Sequence, residues 1–582
     1  MLIMEMDMDN TSPAEIAALK SLDKIYSCIE NKKSFILEAG AGAGKTYSLN
    51  KSLTYILEQQ GAKMQRNAQQ VACITYTNVA ADNFTSTQNN HPALFSGTIH
   101  SFCWTILSKF QAELRKLVLA NEKLSVLLEE GEDIKNFNIE YDFGYRKKED
   151  SALKIHHDDV IIFTVEFLKN QKFLKYLSSM FPIILIDEYQ DTNGQLVNSI
   201  LENIVKNETE ILIGFFGDSW QKIYGDGCGE INDSSLEVVK KQSNFRSEKN
   251  IVEALNRVRP DLQQEVVEPE SSGSIRVYTS NNWTGGWETK NHWQGALPNG
   301  QARLNLNTVR EILKSEEGWT FDDDNTKTLM LTHRVLAIEQ GYVDIVSAFR
   351  YNDSFVKKQD KHIAYFLDVI EPLREFFEQG KYGEMFKLLG KRFPHISTVS
   401  DKIEWNDSLT ELFEICDNGT VEEVVNHIMS KGKPIIDSGV LKREEDLNIT
   451  LETGDDLSSS QEVLRKLKVI KYSQVRALSK FISGHTPFST QHGVKGDEFE
   501  NVLVVLGRGW NQYDWNKFLE LSNPSNGNPT GQEDFYVRNR NLFYVACSRP
   551  IKNLTLLFTQ QLSVEALETL SIWFGEDKIT HL

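Results

Sequence analysis

At 582 residues the chain exceeds what one hydrophobic core can serve, which predicts roughly three or four domains. Hydrophobic residues at 40% and charged residues at 25% match an ordinary soluble globular protein, and no run of about 18 apolar residues offers a membrane span. The net charge of −19 argues against a surface that coats itself nonspecifically in polyanion; a local basic channel stays open, because phosphate contacts answer to nearby charge. Met1 to Asn10 alternates Met with acids and lacks a basic segment before an apolar block, unlike a secretory signal. The cysteines at 28, 73, 103, 228, 416 and 547 contain no Cys-x-x-Cys pair, which predicts reduced thiols in a cytosol and neither a zinc nor an iron–sulfur site.

In chain order, Ser34 to Glu38 is a short apolar run of strand type. The loop Ala39-Gly40-Ala41-Gly42-Ala43-Gly44-Lys45-Thr46 follows, and then apolar residues at helical spacing from Tyr47 to Leu53. Strand, glycine-rich loop and helix in succession are the context a phosphate-binding loop requires. Glycines let backbone N–H groups curl around phosphates at the positive end of the next helix. Lys45 is placed to reach the β- and γ-phosphates and Thr46 to hold Mg²⁺. Leu107, Phe110, Leu114 and Leu117 form a predicted helical stripe. Phe181 to Ile186 is a continuous apolar run of buried-strand type, ending in Asp187 and Glu188. Acids at that strand end sit beside the phosphate loop in a doubly wound sheet. There Asp187 suits Mg²⁺ and Glu188 the attacking water, so hydrolysis is expected rather than binding alone. Further buried strands are predicted at Lys327 to Thr332 and Asn501 to Leu506, a packed helical stripe at Ile363, Phe366, Leu367 and Ile370, and a mobile loop at Pro524 to Gly531.

With Asp187-Glu188-Tyr189-Gln190-Asp191 in place, the chain resembles the UvrD/PcrA/Rep group of superfamily 1 helicases. Ile74 to Ala81 is similar to their motif Ia, Gly97 to Ser101 to motif Ib, and Gly217 to Tyr224 to motif III. Asn244 to Ser247 resembles motif IV, Thr490 to Phe499 motif V and Leu542 to Arg549 motif VI, all in the family's order. The resemblance implies an α/β fold of two RecA-like P-loop domains with parallel sheets, each carrying a mainly helical insertion.

It also implies site residues. Gln221 is expected to sense the γ-phosphate and the attacking water. Arg246 and Arg549 are expected to approach from the second domain as arginine fingers, which couples hydrolysis to closure of the cleft. Phe245 stands where the family stacks an aromatic on adenine, with a core Phe as the competing reading. Tyr76, Thr98, His100, Tyr224, Thr490, His492 and Glu498 match positions lining the single strand or the adjoining nucleotide cleft; His100 on its own reads equally as a satisfied buried histidine. Ala39 at the head of the loop agrees with the family.

The chain departs from the family pattern in two places. No glutamine precedes Lys45, so the adenine-reading glutamine motif is missing and base selectivity is open. Asp226 stands where the family usually has a Trp after motif III, removing a stacking surface. The expected organisation is a first RecA-like domain at 1–103 and 179–240 with an insertion at 104–178. The second is expected at 241–345 and 484–582 with an insertion at 346–483. About thirty residues follow motif VI, so no C-terminal nuclease domain is expected.

The function implied is an ATP-dependent, 3′-to-5′ helicase or translocase on single-stranded or tailed duplex DNA, using ATP and Mg²⁺ in the cytoplasm without a membrane. The competing reading is a nucleotide-gated regulatory or recruitment subunit that unwinds little. The short insertions also resemble helicase subunits of anti-phage systems such as Gabija, which pair with an OLD-type nuclease. DNA repair is the other expected setting.

Overall fold

The structure is a computed structural model. It describes residues 11–582 except 130, 143–145, 208, 224, 290–292, 323–324, 331–335, 338–339, 351–352, 391–395, 484–487, 491–496, 509–512 and 528. Two parallel six-stranded sheets organise it. In the first, β1 (Phe35–Ala39), β2 (Val71–Thr75), β3 (Leu94–Thr98), β4 (Ile183–Asp187), β5 (Leu212–Gly217) and β6 (Glu237–Lys241) lie in the order β3-β2-β4-β5-β1-β6. In the second, β7 (Ser274–Thr279), β8 (Thr326–Met330), β9 (Phe488–Thr490), β10 (Phe499–Leu506), β11 (Pro550–Phe558) and β12 (Ile579–His581) run β9-β8-β10-β11-β7-β12. These are two RecA-like domains.

The central strands are unbroken apolar runs because helices cover both faces of a parallel sheet. Phe35, Leu37, Leu185, Ile186, Phe215 and Phe216 are completely buried. Helix α1 (Pro13–Glu30) starts at a capping box, in which Ser12 Oγ accepts from Glu15 N at 3.3 Å and the Glu15 carboxylate accepts from Ser12 N at 2.9 Å. Helix α2 (Lys45–Arg66) follows the phosphate loop directly. Register does the rest of the positioning: Glu38 of β1 pairs with Gly217 of β5, and Asp187 of β4 pairs with Phe216. The strand ends carrying the acidic groups and the phosphate loop therefore meet at one edge.

Both sheets are interrupted. Between β3 and β4 come α3 (Ile99–Leu107), α4 (Gln111–Ala120) and α5 (His157–Phe167), and also a three-stranded sheet of Asn138–Tyr141, Lys147–Lys148 and Ala152–Ile155 that periodicity did not predict. These strands are too short and too mixed in polarity to announce themselves. The predicted stripe at 107–117 is split: the chain leaves α3 at Leu107 and restarts at Gln111, with Phe110 at the break, φ −110° and ψ 50°. All four side chains still pack in the same core. Between β8 and β9 the described residues are mainly helical, and Ile363, Phe366, Leu367 and Ile370 are buried in one cluster there. Strand β8 covers 326–330 of the predicted run; residues 331 and 332 lie outside the described residues.

Candidate nucleotide cleft and nucleic-acid track

The phosphate loop bends where glycine permits it. Gly42 and Gly44 have φ of 71° and 73°, in the left-handed region that side chains disfavour. A Cβ on Gly42 would also lie 2.7 Å from the Cβ of Arg246. The second domain packs onto the loop at that point. Asn244 Nδ2 and Gln264 Nε2 each donate to Ala41 O at 3.2 Å, Ser243 Oγ donates to Ala43 O at 3.1 Å, and Phe245 N donates to Gly42 O at 2.8 Å.

One cavity of about 310 Å³ is lined by loop residues Ala39 to Thr46 together with Glu188, Gln221, Phe245, Arg246, Glu498 and Arg549. Lys45 Nζ lies 2.5 Å from Glu188 Oε1 and 3.9 Å from Asp187 Oδ1. Burial pulls the Lys45 pKa down, but the two carboxylates outweigh it, and the net shift is upward. Gln190 joins the strand ends, donating from Nε2 to Glu188 Oε2 at 2.5 Å and accepting at Oε1 from Asp218 N at 3.2 Å. Gln221 is buried and donates to Asp218 Oδ2 at 2.8 Å. Arg246 reaches Glu498 Oε2 at 2.9 Å and Ser548 O at 3.0 Å. Arg549 donates to Val545 O at 2.9 Å, Asp497 O at 3.2 Å and Ser548 Oγ at 3.2 Å. Burial and the neighbouring Arg246 push its pKa down to about 10. Phe245 is 44% exposed with its ring at the mouth of the loop, so it is no core residue. Thr46 is exposed on the cavity side. Its hydroxyl and the Asp187 carboxylate are hard oxygen donors of the kind Mg²⁺ takes. Asp187 itself lines the neighbouring cleft rather than this cavity.

That neighbouring cleft, about 1090 Å³, gathers Tyr76, Thr98 and His100. Tyr76 is 59% exposed. Thr98 caps α3, its hydroxyl accepting from Ser101 N at 3.3 Å. His100 stacks on His157 of α5 with ring centroids 3.2 Å apart, and Tyr141 Oη lies 2.6 Å from His157 Nδ1. Burial, reinforced by His157, pulls the His100 pKa down to about 4, so the imidazole is neutral near pH 7. Asp158, Asp191 and Asp226 also line the cleft. Tyr224 and His492 lie outside the described residues, as does the side chain of Thr490 at the end of β9.

A family model for an AAA domain matches residues 24–226. The Gabija protein GajB of Bacillus cereus (strain HuB5-5) is 23% identical, over 93% of this chain and 95% of its own length. A probable DNA helicase II homolog of Mycoplasma capricolum is 24% identical over 43% of this chain, and the ATP-dependent DNA helicase PcrA of Staphylococcus epidermidis 25% identical over 38%. The matches span 41% and 37% of those two relatives. The chain resembles the superfamily 1 helicases. The likeness is to helicase-like ATPases of UvrD-like type, and no helix among the described residues is long and apolar enough to cross a membrane.

Motif patterns did not single out the buried charges beneath this cleft. Glu38 closes β1, accepts from Tyr189 Oη and from Ser219 N at 3.4 Å, and has its pKa raised to about 7 by burial and by Asp218. Asp218 is completely buried and meets Arg259 Nη1 at 2.6 Å. Tyr544 Oη accepts from Ala41 N at 3.3 Å. A single Glu ending an otherwise apolar strand was the available signal for Glu38; nothing local distinguishes Arg259.

Proposed function

We propose that the protein is an ATP-dependent 3′-to-5′ DNA helicase or translocase acting on single-stranded and tailed duplex DNA. One observation carries this reading: a phosphate loop from the first domain and Arg246 and Arg549 from the second line the same cavity. In this reading Lys45 exchanges Glu188 for the β- and γ-phosphates. Glu188 is thereby released to orient and deprotonate the attacking water, and Gln221 holds that water in line. The two guanidiniums stabilise the charge that develops, and because they come from the other domain, hydrolysis proceeds only when the cleft is shut. Thr46 and Asp187 would hold Mg²⁺, which neutralises phosphate charge when bound. Phe245 stacks on the base, and Glu498 keeps Arg246 aimed at the cavity. Tyr76, Thr98 and His100, with Tyr224, Thr490 and His492, form the track. Nucleotide hydrolysis and strand separation on 3′-tailed, 5′-tailed and blunt DNA test the proposal. Hydrolysis that single-stranded DNA fails to stimulate, or that survives Lys45→Ala, would sink it.

A second reading is a nucleotide-gated regulatory subunit with little unwinding. It is favoured by the track cleft, which Asp158, Asp191 and Asp226 line together with a neutral His100 and where they repel a phosphate backbone. Robust separation of a forked duplex by the isolated chain removes it.

The likeness to GajB along nearly its whole length supports a place in cytoplasmic anti-phage defence, beside an OLD-type nuclease, over DNA repair. Co-purification from the native host decides: a nuclease partner is expected, and a solitary monomer would count for repair.

A further inference from the structure

We propose that Arg259 is a positioning residue that transmits closure of the second domain to Gln221 through the carboxylate of Asp218. Arg259 caps the end of α6 (Lys249–Val258), whose Ile251, Ala254 and Leu255 belong to the second domain's core. Its side chain, 3% exposed, crosses to the first domain and places Nη1 2.6 Å from Asp218 Oδ1. The other oxygen of that carboxylate, Oδ2, accepts from Gln221 Nε2 at 2.8 Å. A single buried carboxylate is thus held by the second domain on one side and holds a residue of the nucleotide cavity on the other.

The electrostatics make the link directional. Asp218 shares its pocket with Glu38, whose Oε2 lies 3.6 Å from Arg259 Nη2. Burial opposes the charge on Arg259, yet the carboxylate of Asp218 outweighs it, and the net shift of the guanidinium pKa is upward. If α6 moves away, two buried acids lose this guanidinium, and an uncompensated buried carboxylate is costly. Asp218 then lowers its energy by turning toward water, and that move surrenders the geometry that aims Gln221. With α6 seated, Asp218 is fixed and aimed.

The rest of the loop is gripped from the same domain. Arg259 Cζ lies 5.0 Å from the Trp220 ring and 5.4 Å from that of Tyr544, and Arg540 Cζ lies 4.0 Å from the Trp220 ring. Asn541 Nδ2, on α7 (Glu533–Cys547), donates to Ser219 O at 3.2 Å and Lys222 O at 2.9 Å. Every one of these holds is made only while the two domains are together, so they add to the first-domain bonds from Asp218 N to Gln190 and from Ser219 N to Glu38 in setting loop 218–222.

This inference rests on the proposed role of Gln221 in hydrolysis. The test uses the full chain, with steady-state hydrolysis at saturating single-stranded DNA, affinity for a fluorescent ATP analogue, and thermal unfolding. Arg259→Met, which keeps an apolar stem between the rings, is expected to lower kcat roughly 100-fold while KM and nucleotide affinity stay within about threefold. Combined with Gln221→Ala it should cost nothing beyond Gln221→Ala alone, because both act on one contact. Unchanged kcat, or losses that simply multiply, overturns the inference. Should Arg259→Met not fold, Arg259→Lys reads the same split: an ammonium keeps the charge but not the reach and stacking, so a smaller loss in kcat is expected, and wild-type kcat overturns the inference. Wild-type protein without DNA-stimulated hydrolysis would instead defeat the proposed function itself.

Discussion

Lys45 and Glu188 are joined by an ion pair of 2.5 Å that ties the start of α2 to the end of β4. Glu188 reaches it from a φ of 49°, a region that non-glycine residues seldom occupy. The turn aims its carboxylate back across the phosphate loop instead of along the strand, and strain of this kind gathers where function over-determines the backbone. The two groups proposed to grip phosphate and activate water are thereby mutually neutralised and held ready.

Lys45→Ala removes the phosphate grip and strips Glu188 of its cation. Nucleotide hydrolysis is expected to fall at least about 100-fold. Phosphate release with and without single-stranded DNA checks it, and residual DNA-stimulated turnover near wild type would refute the assignment.

Arg246 and Arg549 should separate by stability. Arg246→Ala is expected to reduce kcat by about a thousandfold with the fold intact, since its contacts are with Glu498 and one carbonyl at the cavity rim. Arg549→Ala should show a similar kinetic loss together with a lower Tm, because a buried guanidinium bonded to Val545, Asp497 and Ser548 is removed. Paired kinetic and unfolding measurements distinguish the two.

Phe245→Ala should weaken nucleotide affinity by about tenfold or more, the cost of losing one aromatic platform, while Phe245→Tyr leaves it nearly unchanged. Competition among ATP, GTP and CTP, measured on the same variants, reports whether the stack discriminates bases in a chain with no glutamine before Lys45.

Glu38 sets a pH dependence. In the folded protein its pKa is about 7, against 4.5 for the unperturbed group. Between those values the unfolded chain releases a proton that the folded chain keeps, so this residue's contribution to stability falls as pH rises and levels off above about 7. Glu38→Gln cannot titrate. The difference in Tm between Glu38→Gln and wild type should therefore grow in the variant's favour from about pH 5 to about pH 7.5 and then stay flat. A difference independent of pH would show that Glu38 is ionised throughout.

Local chemistry explains what could be read in advance. A phosphate loop is a contiguous stretch whose backbone path demands glycine, so Gly42 and Gly44 declare it without any partner. Strands such as 183–187 declare themselves because a sheet covered on both faces must be apolar along its whole length. The three short strands at 138–155 do not, since partial burial leaves them no period to follow. The acidic lining of the track cleft was equally hidden: Asp158, Asp191 and Asp226 lie on separate segments, and only folding brings them into one cleft with Tyr76 and His100.

By itself the sequence determined the phosphate loop, the acids after β4 and the order of the motifs, because each depends on residues that are neighbours along the chain. The tertiary structure alone decided which charges share a buried pocket. Arg259 and Asp218, 41 residues apart, meet because two independently wound sheets bring a helix end against a strand end, and no local propensity encodes that distance.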